Sequence, residues 1–332
     1  MSPMTTTPAF NFHALTPDLI LDALQHVGLY AESGLTELNS YENRVFQFMG
    51  EARQRYVVKF YRPERWSEAQ LREEHAFAAA LHEAEIPLIA PLPLAGDTLN
   101  HYQGYFFTVF PSAGGRQYEV DNLDQLEMVG RYLGRIHQVG SKQLFKARPT
   151  IGLDEYVIHA RQVLEESRLI PQGQRDNFLQ ATDNLIHAIQ LRWHTQWQAL
   201  RLHGDCHPGN ILWRDGPCFV DLDDARNGPA IQDLWMLLHG DKAEQRTQLD
   251  ILLEAYEEFS EFDQRELALI EPLRAMRMVH YLAWVARRWQ DPAFPRSFPW
   301  MTEGSFWESQ TAAFREQFNQ LQEPPLQLTP MY

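Results

Sequence analysis

The hydrophobic pattern of this chain becomes mostly helical after Pro111-Ser112-Ala113-Gly114-Gly115. A proline followed by two glycines marks a turn or hinge, and the flanks differ in kind. Before it, Val45, Phe46 and Phe48, the polar turn Gly50 to Gln54, and Tyr56-Val57-Val58-Lys59-Phe60-Tyr61 predict an antiparallel hairpin. A further strand is expected over Tyr105 to Phe110. After it, Leu126, Val129, Leu133 and Ile136 recur at helical spacing, as do Ile186, Ile189 and Trp193. The expectation is an α+β fold in two lobes. Residues 1–110 form an N-terminal antiparallel-sheet lobe, 111–116 a hinge, and 117–332 a mainly helical C-terminal lobe. A length of 332 residues suits that division, and a cleft between lobes is a favoured place for a ligand.

Two helices announce themselves in the first part. Thr16-Pro17 supplies a cap and a first-turn proline ahead of Ile20, Leu24 and Val27. Ser67 and Gln70 form a capping box ahead of Leu71, Phe77, Ala78 and Leu81. Near the other end, the apolar stretch Met276 to Val285 is broken by Arg277 and His280 and reads as a buried helix. No run is long and apolar enough for a membrane span. Met1 to Phe12 has no basic residue and no apolar core, so no signal peptide is expected there.

Charge narrows the partners. The formal net charge of -15 opposes general affinity for nucleic acid or anionic lipid. Cys206 and Cys218 are too few for a disulfide framework and fit a reducing compartment. The expected place of action is the cytoplasm, with no nucleic-acid and no membrane partner.

The chemistry is concentrated in His203-Gly204-Asp205-Cys206-His207-Pro208-Gly209-Asn210, followed by Phe219-Val220-Asp221-Leu222-Asp223-Asp224. Gly204, Pro208 and Gly209 force the loop to turn. The Asp215-Gly216 turn returns Asp221 toward Asn210. One carboxylate plus an Asn/Asp pair of oxygens suits phosphoryl transfer: Asp205 orients and deprotonates a hydroxyl, while Asn210 and Asp221 hold Mg²⁺ on nucleotide phosphates. The same letters admit a second chemistry, a metal-dependent hydrolase with His203, Asp205 and His207 as ligands and Cys206 as a soft donor. That choice leaves Asn210 idle.

The N-terminal part bears on the decision. Lys59 lies inside an apolar strand, where it either snorkels outward or pairs with an acid and a phosphate. Glu74, on the capped helix, is the natural acidic partner, with Glu73 adjacent. A strand lysine and a helix glutamate hold nucleotide phosphates in protein kinases. No Gly-rich loop precedes the hairpin. Ser40 and Asn43, in Leu38 to Val45, either donate to phosphate or simply form a β-turn.

At these residues the chain resembles the aminoglycoside phosphotransferase and choline kinase superfamily, whose members share the protein-kinase fold. The shared motif is His-Gly-Asp-x-x-x-x-Asn with a later strand-end Asp, matched by His203-Gly204-Asp205, Asn210 and Asp221. The resemblance extends to the bacterial stress response kinase A group through Asn39 to Val45, Val58 to Trp66, Phe219 to Pro229 and Glu323 to Leu328. It implies a cytoplasmic serine/threonine protein kinase that uses ATP and Mg²⁺ in stress responses. Asp205 is then the proton acceptor, Asn210 and Asp221 bind the metal, and Ser40 lies against ATP. The implied acceptor is a protein serine or threonine; the chain itself is a candidate acceptor, and a monomer is expected.

Departures from eukaryotic protein kinases bear on the acceptor. Asp221-Leu222-Asp223 replaces Asp-Phe-Gly, and Gly228-Pro229-Ala230 leads soon into a helix with no Ala-Pro-Glu. Without that segment no peptide-docking surface is identifiable. A small-alcohol acceptor, or a non-catalytic binding module, is the alternative class. The acidic run Glu254, Glu257, Glu258, Glu261 and Asp263 suits either a polycation pocket or a solvated helix face. The aromatic segment Tyr281 to Trp307 suits either an acceptor wall or a core.

Overall fold

The Thr16 hydroxyl accepts from the Leu19 amide and Pro17 takes the first helical position, so α1 (Pro17–His26) starts where its cap dictates. The structure is a computed structural model and describes residues 11–194 and 196–329. Of the stretch Met1 to Phe12, expected above to carry no signal peptide, residues 1–10 lie outside the described residues. The chain divides into two compact units. One runs to Arg116 and takes in Leu212–Arg214 and Cys218–Asp223; the other comprises the rest.

In the first unit, β1 (Thr36–Glu37), β2 (Arg44–Met49), β3 (Arg55–Phe60), β4 (Asn100–Tyr102) and β5 (Tyr105–Pro111) form an antiparallel sheet of order β1-β2-β3-β5-β4. Alternation along β3 sends Val58 and Phe60 into a core with Ile20, Leu24, Phe48, Phe107 and Val109. Lys59, paired in register with Val45 and Thr108, therefore faces the other way. On that side runs α2 (Glu68–Glu83), opened by the expected Ser67/Gln70 capping box. Glu74 is buried while Glu73 is only half-buried, which separates the two neighbours left adjacent by the sequence. Two later segments belong here as well. β6 (Arg116–Gln117), β8 (Ile211–Trp213) and β9 (Pro217–Phe219) make a sheet of order β6-β8-β9, and Phe219 bridges in parallel to Leu88.

The second unit is mainly helical. α3 (Leu123–Gly140) packs on α7 (Lys242–Tyr256) at close range. A Cβ at Gly130 would come within 2.6 Å of the Leu252 carbonyl oxygen, and one at Gly134 would collide with that of Tyr256. A π-helical turn, Asp154–His159, leads into α4 (Ala160–Glu166), followed by α5 (Gln172–Arg192). β7 (Leu200–Leu202) pairs antiparallel with β10 (Arg226–Gly228), which α6 (Gln232–Trp235) follows. α8 (Ile270–Arg287), α9 (Ala293–Ser297) and α10 (Gly304–Gln322) complete the unit. Phe178, Trp307 and Phe314 cluster between α5 and α10. Part of the aromatic segment is core: Phe294, Phe298 and Trp307 are buried, Trp284, Trp289 and Phe306 are half-buried, and Tyr281 and Trp300 are exposed. Glu254, Glu257, Glu258 and Glu261 are exposed, Glu258 pairs with Arg131, and Asp263 caps a short helix. That is a solvated face. No helix of the described residues is long and apolar enough to cross a membrane.

Candidate active site

In the first unit the functional groups gather around Lys59. Its Nζ lies 2.8 Å from Asp221 Oδ1 and 3.6 Å from Asp223 Oδ1. Burial alone would lower the ammonium pKa, but the carboxylates of Asp221, Asp223 and Glu74 outweigh it and hold the group above the ordinary lysine value. Lys59 is therefore a fixed cation. Glu74 acts on it through charge and accepts from the Tyr61 hydroxyl at 3.4 Å, while that hydroxyl lies 2.8 Å from His75 Nε2. Asp221 has φ of 65°, in the left-handed region, and its side chain is half exposed. Such a backbone is tolerated by aspartate and recurs where a side chain must be aimed. Asp223 is buried and also ion-paired to Arg65.

Arg65 joins this cluster to the loop before β2. Glu42 accepts from Arg62 at 2.9 Å and sits 3.7 Å from Arg65. The Asn43 side-chain oxygen accepts from the Arg62 amide at 3.0 Å. Asn43 is thus committed to the fold, and Ser40 of the same turn is half-buried.

In the second unit the Asp205 loop is clamped from beneath by Asp233. Its two carboxylate oxygens accept from the His203 and Gly204 amides, each at 2.8 Å. Asp233 is fully buried, and His137 Nε2 lies 3.0 Å from it. Gly204 has φ of 86° and a Cβ there would strike the Asp224 carbonyl oxygen, so only glycine fits. The chain then turns through Pro208–Asn210, with the Asn210 Nδ2 donating to the Asp205 carbonyl at 3.0 Å. That bond occupies the Asn210 amide nitrogen and not its amide oxygen.

Asp205 meets Arg277 Nη1 at 2.6 Å through Oδ1 and His207 Nε2 at 3.5 Å through Oδ2. Burial would raise its pKa; His207 and Arg277 together overcome that and hold the carboxyl well below the usual range. Around it, Arg226 pairs with Glu155 and Asp224 and lies over the Tyr156 ring, which is tilted against His280 at 4.5 Å.

The structure brings Lys59, Glu74 and Asp221 together in one unit and sets Asp205 and Asn210 on one turn in the other. Asp221, read from the sequence with the C-terminal lobe, groups with the first unit because Phe219 pairs beside Leu88 and Asp221 itself binds Lys59. The hydrolase ligand set is not assembled. His203 is buried, and among the described residues no group of three or more His, Cys, Asp or Glu converges to hold a metal. Three participants went unnoticed in the sequence: Asp233, Arg277 and Arg65. Arg277 had shown itself only as a charge interrupting an apolar stretch.

Residues 34–270 match the model of the phosphotransferase enzyme family, and the chain belongs to that family. It is 64% identical over 324 residues, 98% of its own length and 99% of the relative's, to stress response kinase A of Escherichia coli (strain K12). The same identity and coverage hold for serine/threonine protein kinase RdoA of Salmonella typhimurium. Among solved structures, the amicoumacin kinase hAmiN, in complex with AMP-PNP and Ca²⁺, aligns with a TM-score of 0.72 at 22% identity, covering 93% of this chain and 94% of that one. A spectinomycin phosphotransferase aligns with a TM-score of 0.64 at 14% identity, over 94% of this chain and all of the other. These likenesses establish the phosphotransferase fold.

Proposed function

We propose that this chain is an ATP- and Mg²⁺-dependent serine/threonine protein kinase that acts in a bacterial stress response, in the cytoplasm and as a monomer. The observation that carries the reading is the 64% identity, end to end, with proteins named stress response kinase A and serine/threonine protein kinase RdoA. The acceptor is a serine or threonine hydroxyl of a protein, the chain itself included.

In this proposal Asp205 receives the proton of the acceptor hydroxyl as its oxygen attacks the γ-phosphorus and ADP departs. Its clamped backbone supports the role, since a general base must be held in place before the hydroxyl arrives. Lys59 binds nucleotide phosphates, Glu74 holds the lysine by charge, and Ser40 donates to the phosphates from its turn. The Asn210 amide oxygen and the half-exposed Asp221 carboxylate are hard oxygen donors that fit Mg²⁺, which keeps water and phosphate as its other ligands. When bound, Mg²⁺ neutralises charge on the phosphates.

The test is incubation of the purified chain with γ-labelled ATP and Mg²⁺, alone and with a generic basic protein, choline, homoserine or an aminoglycoside. Label on serine or threonine is the expected result. Label confined to a small alcohol overturns the protein-kinase reading.

A further inference from the structure

Arg277 projects from α8 onto the carboxylate assigned above as the general base. The helix around it is fixed: Leu273, Met276 and Val279 are buried, and His280, one turn on, is tilted against Tyr156. Arg277 itself is 44% exposed in its side chain, and its guanidinium reaches Asp205 at 2.6 Å. The nearby cation Arg226 is differently employed, being buried and paired with Glu155 and Asp224. Arg277 thus has the freedom that Arg226 lacks.

Geometry then constrains what Arg277 touches during the reaction. An acceptor oxygen that gives its proton to Asp205 lies within hydrogen-bond reach of that carboxylate. In a near-attack arrangement the phosphorus lies only about 3–3.5 Å beyond that oxygen. A guanidinium already bonded to Asp205 Oδ1 is therefore within one side-chain swing of the equatorial phosphoryl oxygens. Those oxygens carry the negative charge of the transition state, and a planar, permanently charged fork is the group suited to meet them.

We infer that Arg277 is a further catalytic residue, which leaves or shares Asp205 to bind the transferring phosphoryl group as it passes from the nucleotide to the acceptor. The inference rests on the assignment of Asp205 as the proton acceptor. In the step, the acceptor oxygen forms its bond to the γ-phosphorus and the bond from that phosphorus to the β-bridging oxygen breaks. ADP leaves, the hydroxyl proton goes to Asp205, and Arg277 exchanges no proton. Its contribution is charge placed where charge develops.

The experiment compares wild type with Arg277→Gln, Arg277→Lys and Asp205→Asn. It reads kcat and KM for ATP by autophosphorylation, and the affinity for Mg²⁺–ADP with and without aluminium fluoride, a planar phosphoryl mimic. Arg277→Gln is expected to lower kcat by about 10²-fold or more. It should leave the affinity for Mg²⁺–ADP unchanged and remove at least about tenfold of the extra affinity that aluminium fluoride confers. Arg277→Lys should recover part of both losses, and unchanged ADP affinity certifies a folded nucleotide site. A kcat for Arg277→Gln equal to or above wild type overturns the inference, because it makes Arg277 a mere restraint on Asp205. Unchanged aluminium fluoride affinity overturns it too. Full activity in Asp205→Asn overturns the underlying assignment instead, so the two failures are told apart.

Discussion

Lys59 and Asp221, 162 positions apart in the chain, meet at 2.8 Å. The ammonium is almost fully buried, with a second carboxylate, Asp223, at 3.6 Å. A lysine in a core strand is stable as a cation only with such partners, and here they come from the segment that follows β9. The pair links the strand that presents the cation proposed to bind phosphate to the carboxylate proposed for the metal.

Replacing Lys59 with Met should therefore damage both stability and activity. It leaves Asp223 buried with one cation fewer, and breaking a buried pair costs about 3–5 kcal/mol; the exposed half of Asp221 and the Arg65 partner of Asp223 place the expected loss at the lower end. Urea denaturation measures it. Lys59→Arg, which keeps the charge, should recover most of the stability and little of the activity, because the guanidinium does not fit the space of an ammonium.

Asp233 is a positioning residue for the Asp205 loop. Asp233→Asn keeps the shape but turns one acceptor into a donor facing a backbone N–H, either that of His203 or that of Gly204. An unsatisfied buried donor costs about 1–3 kcal/mol. The expected signature is a fall in kcat with little change in KM for ATP, together with a lowered melting temperature. An unchanged kcat would show that the clamp does not set the loop geometry.

Glu266 supplies a pH dependence. It is buried, accepts from the Ile231 amide at 3.0 Å, and burial pushes its pKa up from the ordinary 4.5 to about 7. The folded state therefore holds a proton that the unfolded chain releases between about pH 4.5 and 7. Stability from this group is full below the lower value and is lost as pH rises through the higher one, on the order of 3 kcal/mol in all. Glu266→Gln keeps the acceptor and removes the ionisation. Its melting temperature should exceed that of wild type at pH 8, with the gap closing toward pH 5. A constant gap across that range would contradict the buried, protonated carboxyl.

Local signals made much of this legible in the sequence. Caps and hydrophobic period gave α1, α2 and the β2–β3 hairpin, because Thr16, Ser67 and the alternation about Lys59 act on neighbours a few residues away. Lys59, Glu74, Asp205, Asn210 and Asp221 stood out because polar groups amid glycine, proline or apolar strand are conspicuous. Asp233 and Arg277 were not legible. Asp233 sits in an ordinary short helix and works on backbone amides 29 and 30 positions away. Arg277 reaches Asp205 over 72 positions. Nothing local distinguishes such residues from a helix N-terminal acid or a surface cation. The placement of Asp221 with the first unit was equally hidden, since it follows from the pairing of Phe219 with Leu88.

The most direct measurement is phosphate transfer from γ-labelled ATP in Mg²⁺ by wild type, Asp205→Asn and Asp221→Asn, each first verified as folded by its melting temperature. Wild type should place label on serine or threonine. Asp205→Asn should lower that rate by about 10²–10⁴-fold, the worth of a positioned general base, and Asp221→Asn should abolish it. Transfer at the wild-type rate by a folded Asp205→Asn protein would contradict the role of Asp205 and, with it, the proposed mechanism.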